Sequence, residues 1–280
     1  MKSILKISLL ITVPFLLHAQ EPVNQLALAY TKVDALLKSG YNKQARHVLD
    51  SLSTNKEIYA SAIYNFYKAR ASDNDTVSIL ICKTVIPTLN LLDTLTDDFY
   101  ALLAGNFILL QQFDSALLYN SKAIDLNRNE ITYHLNQSYI TGEMGDYKSC
   151  LKSLEEAHFL DPNDYHILNN MAYYSSMNRD FSKAIDYSND GLKLNPDSQQ
   201  LGLLLNNRAF ANIGLKNYEV ALKDIDQSLI YFPKNSYAYY NKALAYIELK
   251  DFEKACFNLQ QAKNFGGLNM TKDLIAQYCK

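Results

Sequence analysis

The chain has 280 residues, of which 48% are hydrophobic and 20% charged, with 27 basic and 29 acidic side chains and a formal net charge of -2. This balance excludes a disordered polyelectrolyte, a multi-span membrane protein and a surface built broadly for nucleic-acid phosphates, which would need clustered cations. Twenty-one Tyr, no Trp, 9 Gly and 6 Pro leave few of the breakers that an all-β domain or a glycine-rich nucleotide loop requires, so a helical protein is expected.

Residues 1–19 read as a secretory signal peptide. Lys2 and Lys6 supply the positive start, Ile7 to Leu17 an apolar core too short to span a bilayer, and Leu17, His18 and Ala19 a cleavage site. Without it the chain carries 25 basic against 29 acidic residues. The expectation is an exported protein of the periplasm, the extracellular space or the cell envelope, with the short lysine-headed start pointing to a bacterial one; no membrane span remains after cleavage.

Residues 20–95 form an irregular N-terminal helical region, with apolar periodicity at about 24–38, 42–52, 56–70 and 74–92. Pro87 is expected to kink or break the last of these. From residue 96 the pattern becomes regular. "QQFDSALLYNSKAIDLNRN" at 111–129 recurs as "GDYKSCLKSLEEAHFLDPN" at 145–163, then at 179–197, 216–234 and 250–267. An aromatic opens each copy (Phe113, Tyr147, Phe181, Tyr218, Phe252), and a small residue follows three positions later (Ala116, Cys150, Ala184, Ala221, Ala255). The steps are 34, 34, 37 and 34 residues. A fixed period of this size marks stacked two-helix units, none of which can bury its apolar face alone. The second helix of a unit starts at the aromatic and stops near Asp161-Pro162, Asn195-Pro196 or Phe232-Pro233. The first, such as Ser236 to Leu249, ends at a short turn. The three-residue excess before the fourth copy is expected to lengthen the loop near Asp197 to Gln200. Ala45 and Cys82 extend the small-residue series backwards, which reads residues 20–95 as two degenerate hairpins, the alternative being an unrelated helical cap. Met270 to Tyr278 is expected to form a C-terminal capping helix within 267–280.

With those residues in view, the five units at 96–266 resemble the tetratricopeptide repeat (TPR) family. "NRAFA" at 207–211 and "NKALAY" at 241–246 are similar to its first-helix motif, and the aromatic-x-x-small step with terminal proline to its second. Arg128 stands where the first copy should have that proline. The resemblance implies an all-α fold: an α-solenoid, a right-handed superhelix of helix-turn-helix repeats. It also implies a groove lined by the first helices that binds an extended segment or helix of another protein.

Alignment on the small residues places Leu102, Asn136, Asn170, Asn207 and Asn241 at one position. An amide can donate and accept at once, so a row of them suits a peptide main chain. Such an asparagine ladder is similar to that of the O-linked N-acetylglucosamine transferases. The alternative is that each Asn satisfies groups of a neighbouring helix. Three residues on come Gly105, Tyr139, Tyr173, Phe210 and Leu244, with His166, Tyr237 and Tyr240 near the rim. Rigid aromatic area suits a binding surface, although some of these rings could fill seams between repeats. The groove positions lack Lys and Arg, because Arg208 and Lys242 point away by about 100°, which argues against capture of a chaperone's terminal carboxylate.

No nucleotide, hydrolase, metalloprotease or EF-hand motif occurs, so no catalytic residue, metal or cofactor is expected. His158, Asp161, Asp164 and His166 lie close in sequence but flank a helix-ending turn, where such residues serve as caps. The paired carboxylates, such as Asp97-Asp98 and Glu155-Glu156, are placed at helix starts or solvated faces. Cys82, Cys150, Cys256 and Cys279 have neither redox nor zinc-ribbon spacing. Only the last two, near one end of the chain, could meet, and the sequence leaves their pairing open. The expected function is therefore an exported scaffold or adaptor binding another protein and no nucleic acid. The alternative is a small-ligand or glycan-binding envelope protein using the same Asn- and Tyr-lined groove.

Overall fold

The computed structural model of the chain describes residues 21–53, 61–89, 95–266 and 269–279. The signal-peptide reading, and residues 54–60 of the third helical pattern, lie outside the described residues. Fifteen α-helices and no strand occur among the described residues. They fall into two compact units, residues 1–144 and 145–280.

The first unit holds α1 (Glu21–Lys38), α2 (Asn42–Leu52), α3 (Ala62–Arg70), α4 (Asp75–Val85), α5 (Thr96–Leu109), α6 (Phe113–Leu126) and α7 (Ile131–Glu143). The hairpins α1–α2, α3–α4 and α5–α6 bury one core, centred on Val33, Ala45, Phe66, Phe99 and Leu103. Pro87 breaks α4 as expected: the helix stops at Val85 and a single 3-10 turn spans Ile86–Thr88. Measured from its helix start, α4 presents Ser78, not Cys82, at the position held by Ala45 in α2 and Ala116 in α6. Cys82 lies one turn further on, equally buried. The sequence alignment slipped because both residues are small and one helical turn apart.

The second unit holds α8 (Tyr147–Leu160), α9 (Tyr165–Met177), α10 (Phe181–Leu192), α11 (Ser198–Gly214), α12 (Tyr218–Tyr231), α13 (Ser236–Glu248), α14 (Phe252–Gly266) and α15 (Thr271–Tyr278). Here α9–α10, α11–α12 and α13–α14 form hairpins, and α9, α11 and α13 are neighbours in one layer. The small residues Cys150, Ala184, Ala221 and Ala255 are all fully buried, as close helix approach requires.

One turn recurs at the hairpins of both units. The residue two before the opening aromatic has a positive φ: Gln111 57°, Arg179 64°, Lys216 65° and Lys250 62°, with Gly40 at 78° in α1–α2. In α11–α12 the Lys216 N–H donates to the Ile213 carbonyl and the Asn217 N–H to the Asn212 carbonyl, at 2.9 and 2.8 Å. The left-handed residue thereby lets the chain satisfy the carbonyls left open at the helix end. Asp146, Asp180 and Asp251 then cap the next helix.

Two departures from the sequence expectation have local causes. The three extra residues before the fourth copy lengthen a helix rather than a loop. Asp197 and Gln200 form a reciprocal capping box, which starts α11 early and gives it 17 residues. Where Arg128 replaces proline, α6 still stops at Leu126, and the Asn127 side chain accepts from the Asn129 N–H at 3.3 Å to hold the turn.

The opening aromatics share one task. Phe113 meets Tyr139 at 6.5 Å, and Tyr147 meets Tyr174 at 6.2 Å. Phe181 packs onto Gly214, where an added Cβ would lie 2.3 Å from the ring's Cε1. The Tyr218 hydroxyl donates to Glu248 Oε2 at 3.3 Å. In each case the partner sits in the second half of the next unit's first helix, so each ring seals the seam between units.

Candidate functional site

Of the ten residues singled out in the sequence, eight lie in the second unit. His166, Asn170 and Tyr173 are on α9, Asn207 and Phe210 on α11, and Tyr237, Tyr240 and Asn241 on α13. Adjacent packing of these three helices brings them onto one layer. Asn136 and Tyr139 are on α7 of the first unit.

The asparagines do not form a uniform open row. Asn207 Nδ2 donates to the Asn169 backbone carbonyl and to its Oδ1, at 3.1 and 3.0 Å. Asn241 Nδ2 donates to Asn206 Oδ1 at 3.0 Å. Both donors are buried, with Asn207 8% and Asn241 6% exposed. These amides tie α9 to α11 and α11 to α13, as a buried polar group must find a partner. The acceptors are the first members of the doublets Asn169-Asn170 and Asn206-Asn207, so the doubled Asn was the available signal. Asn170 is half-buried, whereas Asn136 is buried and its Nδ2 has no hydrogen-bond partner among the described residues.

The aromatics divide differently. Tyr173 is 39% and Tyr237 41% exposed, and His166 is exposed beside Tyr165, with ring centroids 4.3 Å apart. Tyr139, Phe210 and Tyr240 are half-buried. Burial pushes the Tyr139 and Tyr240 phenols above their ordinary value. Tyr173 packs edge-on against Tyr174 at 5.1 Å, which fixes its ring.

Both cations of α11 and α13 are committed to acids of α12. Arg208 donates through Nε to Asp224 Oδ2 at 2.8 Å and through Nη2 to Oδ1 at 2.7 Å, and its Nη1 reaches Asn189 Oδ1 on α10 at 2.8 Å. The bond to Asp224 holds the guanidinium above its ordinary pKa. Lys242 Nζ lies 2.6 Å from Asp226 Oδ1. The layer of α9, α11 and α13 therefore presents amide, hydroxyl and ring surface with its Arg and Lys neutralised from behind.

Asp98 sits in the first turn of α5, a helix start as expected, yet it is only 7% exposed. The Tyr133 hydroxyl lies 3.3 Å from Asp98 Oδ1 and 3.1 Å from Asp97 Oδ2, so two carboxylates share one phenolic donor. Burial, and then the Asp97 charge, push Asp98 up to about 7. Aspartates at a helix start are usually solvated caps, and nothing local in the sequence marks the ring of Tyr133 that covers this one.

Among the described residues no group of three or more His, Cys, Asp or Glu is placed to hold a metal ion. Asp161 and Asp164 instead accept backbone N–H groups of Asn163 and His166, at 3.1 and 2.7 Å. Cys82 and Cys150 are buried thiols outside any disulfide, and burial drives the Cys82 thiol up to about 12. Cys256 and Cys279 form a disulfide, which the sequence had left open. No described helix is long and apolar enough to cross a membrane.

The tetratricopeptide-repeat family model matches residues 236–264, which are α13 and most of α14. No curated protein matches the sequence. Among solved structures, the chain is similar to one titled the APC/C hetero-tetramer Cut9-Hcn1, with a TM-score of 0.65 at 16% identity over 91% of this chain and 49% of that one. The chain thus spans about half the length of that protein. A tetratricopeptide repeat protein from Parabacteroides merdae gives a TM-score of 0.64 at 12% identity, covering 92% of this chain and 100% of that one. PilW, titled a widely conserved type IV pilus biogenesis factor, gives 0.55 at 14% identity over 65% of this chain and 86% of that one. Identities this low establish the fold, an all-α solenoid of tetratricopeptide repeats.

Proposed function

We propose that this tetratricopeptide-repeat protein is an exported adaptor that holds an extended segment or a helix of another protein on α9, α11 and α13, and performs no chemistry itself. The observation that carries the reading is the composition of that layer. Tyr173 and Tyr237 expose rigid rings, His166 is exposed and Asn170 half-buried, and Arg208 and Lys242 are withdrawn into ion pairs. Exposed aromatic area with fixed rings is a favourable anchor for a protein partner, because little side-chain entropy is lost on binding. Phe210 and Tyr240 would form the floor of the contact. Asn207 and Asn241 would shape it by holding the three helices in register. Asn136 and Tyr139 are proposed as contacts of the first unit on its own.

Export to a periplasm or cell envelope is supported by the lysine-headed apolar start of the sequence. It is also supported by the joined cysteines, since disulfides persist in oxidising compartments. PilW, whose title concerns pilus biogenesis, shares the fold, and an envelope assembly role is the kind of process this reading fits.

The test is retention of envelope proteins by wild-type chain and by a Tyr173→Ala, Tyr237→Ala double variant. A protein retained by the first and lost from the second, at unchanged melting temperature, supports the reading. Equal retention by both removes α9, α11 and α13 as the binding layer.

A further inference from the structure

The aromatics that open α6, α8, α10 and α12 each pack on the first helix of the next repeat, whereas α14 is followed by the short α15. Phe252, which opens α14, is 46% exposed and stacks on Tyr278 at the end of α15, with ring centroids 5.4 Å apart and planes 18° apart. α15 therefore does for α13–α14 what a following first helix does elsewhere. It has only 8 residues, against the 13, 17 and 13 of α9, α11 and α13. A helix so short is marginal without tertiary support, and this one buries only Thr271 completely. The disulfide lies beside the ring stack. Cys256 is one turn along α14 from Phe252, and Cys279 directly follows Tyr278. Both cysteines are half-buried, within reach of a thiolate from solvent, whereas Cys82 and Cys150 are sealed in the core.

We infer that the Cys256–Cys279 disulfide is a thiol–disulfide exchange site, opened by a dithiol of the oxidoreductase class, whose opening releases α15 and unstacks Tyr278 from Phe252. The inference is independent of the binding layer on α9, α11 and α13. In the first step a thiolate of the incoming dithiol attacks Cys279 Sγ. A mixed disulfide forms, the bond to Cys256 breaks, and Cys256 leaves as a thiolate that takes up a proton. The second thiol of the reductant then attacks its own sulfur in the mixed disulfide and frees Cys279. The dithiol ends as a disulfide and the protein as two thiols, with two electrons transferred. The chain closed by the bond spans a sequence separation of 23 residues. Opening it returns that freedom to a helix of 8 residues, whose Tyr278 stacks on Phe252 and whose Leu274 and Ile275 are half-buried.

The test uses the full chain, purified under oxidising conditions, with and without dithiothreitol. Iodoacetamide under native conditions should label none of the four cysteines before reduction, and Cys256 and Cys279 alone afterwards. Hydrogen exchange over residues 271–278 should accelerate at least about tenfold on reduction, with residues 236–248 unchanged. A Cys279→Ser variant should show the fast exchange without reductant. Labelling of Cys256 or Cys279 before reduction, or wild-type protection of residues 271–278 in the reduced chain or in the variant, would overturn the inference.

Discussion

Asn207 and Asn169 are joined twice across the seam between α11 and α9, the one amide donating to both the backbone carbonyl and the side-chain oxygen of its partner. The pair makes the asparagine row unequal. Asn207 is buried and committed, whereas Asn170 is half-buried. Asn207→Ala should lower stability by about 1–2 kcal/mol, because it leaves two part-buried acceptors of Asn169 without this donor. Asn170→Ala should cost well under half of that. Thermal melts of the two variants side by side check the contrast, and equal losses would show that the seam bonds carry no special weight.

Arg208 and Asp224 form the most enclosed ion pair among the described residues of the second unit, with side chains 26% and 7% exposed. Removing one partner leaves a charge with nowhere to go. Arg208→Leu should destabilise by about 3–5 kcal/mol, and the Arg208→Leu, Asp224→Leu double variant should recover most of the loss. A double-mutant cycle in urea reads this coupling. Simple additivity would mean that the pair contributes only packing.

Asp98 sets a pH dependence. Its folded pKa, about 7, lies above the ordinary value of 3.8, so the folded state binds the extra proton between those limits. The contribution of this group to stability is full below 3.8 and is lost as the pH rises through about 7. The charges facing it are Asp97 on its own helix, Arg70 from α3 and Glu130 ahead of α7. Asp98→Asn keeps an acceptor for the Tyr133 hydroxyl without the titrating charge. The variant should gain stability over wild type at pH 8 and lose that advantage at pH 4, as measured by urea midpoints. A difference that does not change with pH would place the charge of Asp98 elsewhere.

The hairpin turns offer a test of backbone strain. Lys216 and Lys250 hold left-handed φ values of 65° and 62°, a conformation that costs an L-residue with a Cβ about 1–2 kcal/mol. Lys216→Gly and Lys250→Gly should therefore each stabilise by about 1 kcal/mol, partly offset by the greater freedom of unfolded glycine. Gly40→Ala, at a φ of 78° in the matching turn of α1–α2, should destabilise. Chemical denaturation of the three variants gives the signs.

Much of the fold was legible because the repeat is written in residue types with single roles. The aromatic and the small residue name a seam and a close crossing. The failures fell where one residue type serves two ends. Asp197 and Gln200 resemble loop residues but form a cap, so an expected loop is a longer helix. Ser78 and Cys82 are both small and one turn apart, so the register of α4 slipped. The candidate site was legible as a set of positions on α9, α11 and α13, but not in its division of labour. Whether an Asn faces a partner or a neighbouring helix depends on the residue one unit away, and no local pattern reports that distance.

The measurement that tests the central claim most directly is site-specific photo-crosslinking in the source cell. A benzophenone side chain would replace Tyr173 or Tyr237 on the layer, and Phe159 or Ile230 as exposed controls on α8 and α12. The account requires that one and the same protein be captured from Tyr173 and Tyr237 and not from the two controls. Capture from Phe159 or Ile230 alone would contradict it and move the interface to the second-helix layer.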